Sequence, residues 1–213
     1  MKSTSGQRRV LETLEKTFKS WQSRGYNVVP AGVAYSGGMD SGVLLWGAVQ
    51  ILGRGQVVAL WVDHGVRPEA ERRAEASLVQ QNCLSLDISL KTFGPPSLDL
   101  SGQGPEDSFR RFRLGALVQG AKDSGLACLL TAHHADDQAE TLLMRLFQGR
   151  SWDGLAGIPE IRGPFFRPFL QLSRQELRQA ADEIGLMWHE DTSNSGSDYL
   201  RNSLRNEILP QIP

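Results

Sequence analysis

Three short apolar runs, Val33–Tyr35, Val57–Val62 and Ala127–Thr131, each stop on a polar cluster and lead into a stretch of helical periodicity. Strand and helix that alternate in this way predict parallel strands joined by right-handed helical crossovers. The expected fold class is therefore α/β: an open, mostly parallel twisted sheet with helices on both faces. In such sheets ligands bind beyond the carboxyl ends of the strands, where the strand order reverses. The polar clusters Ser36–Ser41, Asp63–Arg67 and His133–Asp137 all fall at such ends.

The remaining pattern fills in around these runs. Val10, Leu11, Leu14 and Phe18 recur at helical spacing, so a first amphipathic helix precedes the first strand. Further helices are expected over Ser41–Leu52, Glu69–Leu84, Glu106–Ser124 and Asp136–Gly149, with a third strand near Leu86–Thr92. The Pro-, Gly- and Ser-rich stretch Gly94–Pro105 reads as a loop. Residues 1–150 are expected to form the α/β domain. Beyond Ser151 the pattern loosens into a mostly helical extension over 151–213, with helices at Ser173–Ile184 and Leu200–Leu209.

Composition excludes several classes. With 40% hydrophobic and 22% charged residues, the 213-residue chain is neither disordered nor collagen-like. Its longest apolar run, Val57–Val62, is far short of the roughly 20 residues that cross a bilayer. No secretory signal is visible, and two cysteines, Cys83 and Cys128, make no disulfide framework, so the chain reads as cytoplasmic without a membrane partner. A net charge of −1 supplies no global field toward nucleic acid, although a local basic patch fits within a neutral total. Of the 23 basic residues 18 are arginines, whose planar fork suits phosphate; a GC-rich genome accounts for the bias equally well.

The most informative cluster is Ser36-Gly37-Gly38-Met39-Asp40-Ser41. Adjacent glycines let backbone N–H groups turn toward an anion, and the following helix N-terminus adds partial positive charge. The motif is neither a Walker A loop nor Gly-x-Gly-x-x-Gly. Asp40 would repel phosphate unless Mg²⁺ lay between them, which points to a metal–nucleotide substrate. The bland alternative is a tight turn with Asp40 as a first-turn helix acid.

Ser-Gly-Gly-x-Asp-Ser after a first strand resembles the pyrophosphate loop of the N-type ATP pyrophosphatases, or PP-loop superfamily, whose fold is Rossmann-like, of the adenine nucleotide alpha hydrolase type. Those enzymes cleave ATP between the α and β phosphates, adenylate an oxygen, and let a nucleophile displace AMP. Further segments narrow the likeness. Val62-Asp63-His64-Gly65-Val66-Arg67-Pro68, Ala132-His133-His134-Ala135-Asp136-Asp137-Gln138-Ala139-Glu140-Thr141 and Glu106-x-x-x-Arg110-x-x-Arg113 resemble tRNA(Ile)-lysidine synthases. So, in the same order, do Gly154-Leu155-Ala156-Gly157, Arg167-Pro168, Glu190-Asp191 with Ser193-Asn194, and Arg201-Asn202-x-x-Arg205. Leu114 replaces a common tyrosine, and Ala70 and Glu71 lie where serine is common.

The resemblance implies an ATP-dependent carbon–nitrogen ligase that joins L-lysine to the wobble cytidine of tRNA(Ile), with ATP and Mg²⁺ as cofactors. It places Ser36, Gly37, Gly38, Met39, Asp40, Ser41, Asp63, His64, Arg67 and His133 around the nucleotide. Asp40, Arg110, Arg113 and Asp137 are the expected catalytic residues, with Asp40 and Asp137 also holding metal. His134, Glu140, Arg201 and Arg205 are expected toward the tRNA anticodon and lysine. Arg110 and Arg113 share a helix face and can converge on one anion, whereas Arg111 points elsewhere. Asp136 is expected as the N-cap of its helix, and Trp46 and Trp61 as core. A homodimer is among the assembly states allowed. Family members usually continue beyond the position of Pro213 into C-terminal RNA-binding domains, which are expected to be absent here. The alternatives are another PP-loop enzyme, a tRNA thiolase or amide-forming synthetase, and a nucleotide-binding module without catalysis. A cytidine thiolase would need further cysteine pairs.

Overall fold

A computed structural model describes residues 5–63, 65, 68–94, 105–149 and 156–189, with the side chains of 105–107 outside that description. Helix α1 (Gly6–Ser23) leads into β1 (Ala31–Ala34), α2 (Met39–Leu52), β2 (Val57–Val62), α3 (Glu69–Leu86) and β3 (Ser89–Phe93). Then come α4 (Pro105–Asp123), β4 (Cys128–Leu130), α5 (Ala135–Phe147), β5 (Ile161–Arg162), β6 (Phe165–Phe166) and α6 (Arg174–Glu183). The strands form one sheet in the order β3-β2-β1-β4-β6-β5, parallel throughout except for the β5–β6 hairpin. The α/β, mostly parallel expectation holds. Strand order reverses between β1 and β4, so the carboxyl ends of these two neighbours mark the expected ligand crevice.

Alternation along the strands builds two cores. Val57, Ala59 and Trp61 face one side with Ala31, Val33, Cys128 and Leu130, and α1, α2, α3 and α6 cover them. Leu60, Val62 and Leu129 face the other, where Leu117 and Ala121 of α4 cover them. Trp61 is buried as expected and its indole N–H donates to Glu75 Oε1 at 3.3 Å; Trp46 is half-buried against the same core. On the first face Gly47 lets α1 approach α2: a Cβ there would lie 2.5 Å from Leu14 Cδ1.

The second face is more thinly covered. Helix α4 packs on β2 and β4, and the β5–β6 hairpin lies beyond β4. The loose, helical reading of the segment after Ser151 misses this hairpin. Two-residue strands are too short to display alternation, and Gly163 and Pro164 between them read as loop. The expected helix Leu200–Leu209 lies outside the described residues.

Candidate active site

Between β1 and α2 the chain turns through Gly37 at φ 76°, a left-handed conformation that suits glycine. Gly38 is the N-cap of α2. The Ser41 hydroxyl donates to the Gly38 carbonyl at 3.0 Å and accepts the Ser36 N–H at 3.1 Å, and the two serine hydroxyls lie 3.0 Å apart. The serines thus brace the loop, leaving the first-turn amides of α2, which have no intrahelical acceptor, for an anion. The loop is also held from behind. Asn82 of α3 donates to Tyr35 Oη at 2.6 Å and to the Met187 carbonyl at 2.9 Å, while the His189 N–H reaches the Gly37 carbonyl at 3.1 Å.

The second polar cluster follows β4. Its helix cap is His134 in extended backbone, not Asp136 as the sequence suggests, because Asp137 at the third helical position accepts the His134 N–H at 2.9 Å. Asp136 instead accepts the Arg174 N–H at the start of α6, also at 2.9 Å. The His134 side chain is 4% exposed and stands among three carboxylates: Asp40 at 3.7 Å, Asp137 at 3.6 Å and Asp136 at 3.4 Å. Burial disfavours its charged form, but the negative charge of Asp40, with that of Asp137 and Asp136, prevails and raises its pKa. His134 therefore ties the aspartate of the glycine loop to the first turn of α5.

These elements border one open cleft of about 740 Å³. Ser36, Gly38, Asp40 and Ser41 lie at one end, with Thr131, His133 and Asp137 from the end of β4. Helix α4 supplies one wall through Arg110, Arg113, Leu114 and Leu117, and the hairpin supplies another through Arg162, Phe165 and Arg167. Arg111 is exposed and is not part of the lining. Desolvation and the neighbouring Arg110 lower the pKa of Arg113; desolvation and Arg162 do the same to Arg167. Guanidinium groups remain charged through such shifts, so the cleft is positive on both walls.

Burial pushes His133 down to about 4; Arg167 and Arg113 add to the drop, and Asp137 opposes it. Its Nδ1 lies 3.0 Å from Thr131 Oγ1. A folded-state value below the usual 6.5 means that the unfolded chain binds the extra proton first. This contribution to stability is complete above pH 6.5 and is lost as pH falls toward 4. Urea titrations across that window should give His133→Asn a shallower loss, by up to about 1 kcal/mol per pH unit. Parallel curves for the two proteins would refute the assignment.

Several expected site residues lie elsewhere. The Met39 side chain is buried in the first core, leaving only its backbone for the loop. Gly37 is not part of the cleft lining, and its Cβ position would meet Val79 Cγ2 at 3.2 Å. Asp63 accepts Arg72 Nε at 2.9 and 3.0 Å and the Gly65 N–H at 2.8 Å, which turns it toward α3 and out of this cleft. Glu140 is 0% exposed and His134 nearly so, hence neither side chain reaches a bound macromolecule as expected. His64, Arg67, Arg201, Arg205 and the side chain of Glu106 fall outside the described residues. Sequence reasoning missed Arg162 and Thr131 as cleft residues, and it noted Arg167 only as part of an Arg-Pro likeness. The available signal was two arginines five positions apart across a Gly-Pro turn.

A family model described as a PP-loop domain matches residues 7–212. A tRNA(Ile)-lysidine synthase of Hyphomonas neptunium is 42% identical over 200 residues, covering 86% of this chain and 52% of the relative. One from Burkholderia mallei is 38% identical over 189 residues, covering 86% and 38%. The chain thus spans about half or less of the length of these curated relatives. Among solved structures, a U34-tRNA thiolase of Methanococcus maripaludis aligns with a TM-score of 0.74 at 18% identity, over 92% of this chain and 70% of that one. An NH3-dependent NAD synthetase of Campylobacter jejuni aligns at 0.57 and 16%, over 95% and 83%. At these identities the structural likeness speaks to the fold alone.

Proposed function

The chain belongs to the PP-loop domain family, and from that premise we propose that it carries the catalytic site of an ATP-dependent ligase that joins L-lysine to the wobble cytidine of tRNA(Ile). The observation that carries this reading is the convergence of glycine loop, two carboxylates and paired arginines on one cleft. In the proposed reaction the cytidine C2 oxygen attacks the α-phosphorus of ATP, and the bond to the β-phosphate oxygen breaks. Pyrophosphate departs into the amides of Gly38–Ser41. The lysine amine, having lost a proton, attacks C2; the C2–O bond breaks and AMP leaves. Arg110 and Arg113 stabilise the charge that develops on the α-phosphate. His133, neutral at pH 7, lies beside the nucleotide.

The donor set suits Mg²⁺. Asp40 and Asp137 both present carboxylates to the cleft, and Asp40 Oδ1 is buried without a hydrogen-bond partner. Asp40 and Asp137 would hold the ion, and Mg²⁺ would offset the repulsion between these carboxylates and the phosphates. Without an ion, Asp40 would oppose the phosphate loop it belongs to.

A thiolase chemistry is less well supported. Cys83 and Cys128 are both buried, and burial pushes their thiols up to about 11 and about 12, away from the thiolate form. The deciding assay is ATP–pyrophosphate exchange with and without tRNA(Ile) and lysine. Exchange that requires tRNA, followed by incorporation of labelled lysine, supports the ligase. ATP binding with no exchange leaves a nucleotide-binding module instead.

A further inference from the structure

The α4 pair accounts for one set of positive charges in the cleft; Arg162 and Arg167 on the hairpin have no role in the reaction above. We propose that Arg162 and Arg167 form a second anion site, which holds a phosphodiester of the RNA strand next to the target cytidine. The assignment rests on the ligase reading for the identity of the RNA.

Both arginines line the cleft, and no ion pair among the described residues engages either one. Arg167 Nη1 donates to the Pro159 carbonyl at 2.8 Å, which orients the guanidinium, while its Nε is buried without a hydrogen-bond partner. Between Ile158 and Pro168 the one acidic residue is Glu160. Its carboxylate is engaged by Arg24 at 2.8 Å. The fold thus sets two like charges along one cleft and pairs the hairpin's own acid with a third arginine, Arg24. An arrangement of this kind is favourable when an anion sits between the charges.

Placement distinguishes this anion from the triphosphate. Strand β6 lies two strands from β1, roughly 10 Å at ordinary strand spacing. Phosphates gripped at the β1 end are therefore centred away from the outer end of the cleft, where Arg162 lies. Strand β5 is the outermost strand of the described sheet, and Arg162 within it is exposed. A polymer can cross that edge and place a target base over Leu114, Leu117 and Phe165, with its own phosphate on the arginines.

The test uses the 213-residue chain, an RNA hairpin with an unpaired cytidine, and ATP as separate probes. Fluorescence anisotropy across a salt series should show Arg162→Ala binding the RNA about tenfold more weakly, with the salt slope reduced by about 0.7. Arg162→Lys should keep that slope. The variant's ATP affinity and Tm should match those of the parent. Equal losses for ATP and RNA would assign the pair to the nucleotide and overturn the proposal. Unchanged RNA affinity, or a parent chain with no salt-dependent RNA binding, would overturn it too. RNA binding that responds to Arg162 in a protein unable to transfer lysine would reject the ligase and leave the phosphodiester site standing.

Discussion

Asp40→Ala is expected to slow ATP–pyrophosphate exchange about a thousandfold while the protein stays folded. The magnitude is that of removing one preorganised group that stabilises developing charge. Asp40 lies in the first turn of α2, lines the cleft, and has a buried carboxylate oxygen without a hydrogen-bond partner. Truncation thus removes a costly buried group and leaves His134 with Asp136 and Asp137 nearby. The lost interaction with His134 offsets that gain, so stability should change little. Asp40→Asn should be almost as impaired, because it keeps the shape and loses the charge. Exchange within tenfold of the parent, measured on protein with an unchanged Tm, would remove Asp40 from the reaction.

The largest effect on stability is expected at Trp21. It is fully buried on α1, with its ring 5.7 Å from Phe18 and edge-on to Phe166 of β6 at 5.0 Å. Tryptophan-to-alanine changes in cores cost about 3–5 kcal/mol. Trp21 Nε1 is buried without a hydrogen-bond partner, and its removal offsets part of that cost, so about 3 kcal/mol is expected. That is a large fraction of the roughly 5–15 kcal/mol that holds a domain together. Trp21→Phe, which keeps the ring contacts without the orphaned N–H, should lose much less. Urea midpoints test both, and a shift under about 1 kcal/mol for Trp21→Ala would mean that α1 is not a structural partner of the hairpin.

What the sequence disclosed follows from how local the relevant physics is. Strands β1, β2 and β4 carry long enough apolar runs, and the glycine loop a dense enough anomaly, to be legible without neighbours. The buried character of Glu140 was hidden because a glutamate one turn past two aspartates looks like an exposed helix acid. Asp63 misled for the same reason: its partner Arg72 is nine residues away on the next helix, and an ion pair across a turn leaves no periodic trace. Residue preference favours Asp136 as the N-cap, whereas backbone geometry selects His134, two residues earlier. Arg162 escaped because its relevance depends on strand order, which places a late hairpin beside β4.

The ties behind the glycine loop carry a consequence for biosynthesis. Asn82 and Met187 are 105 positions apart, and His189 reaches back to Gly37 across most of the chain. Residues translated early thus wait for partners that follow 105 or more positions later. A ribosome-bound chain halted before Leu186 is expected to possess every residue of the phosphate cradle and still grip nucleotide poorly, acquiring that ability only when Met187 and His189 emerge and tie the turn from behind.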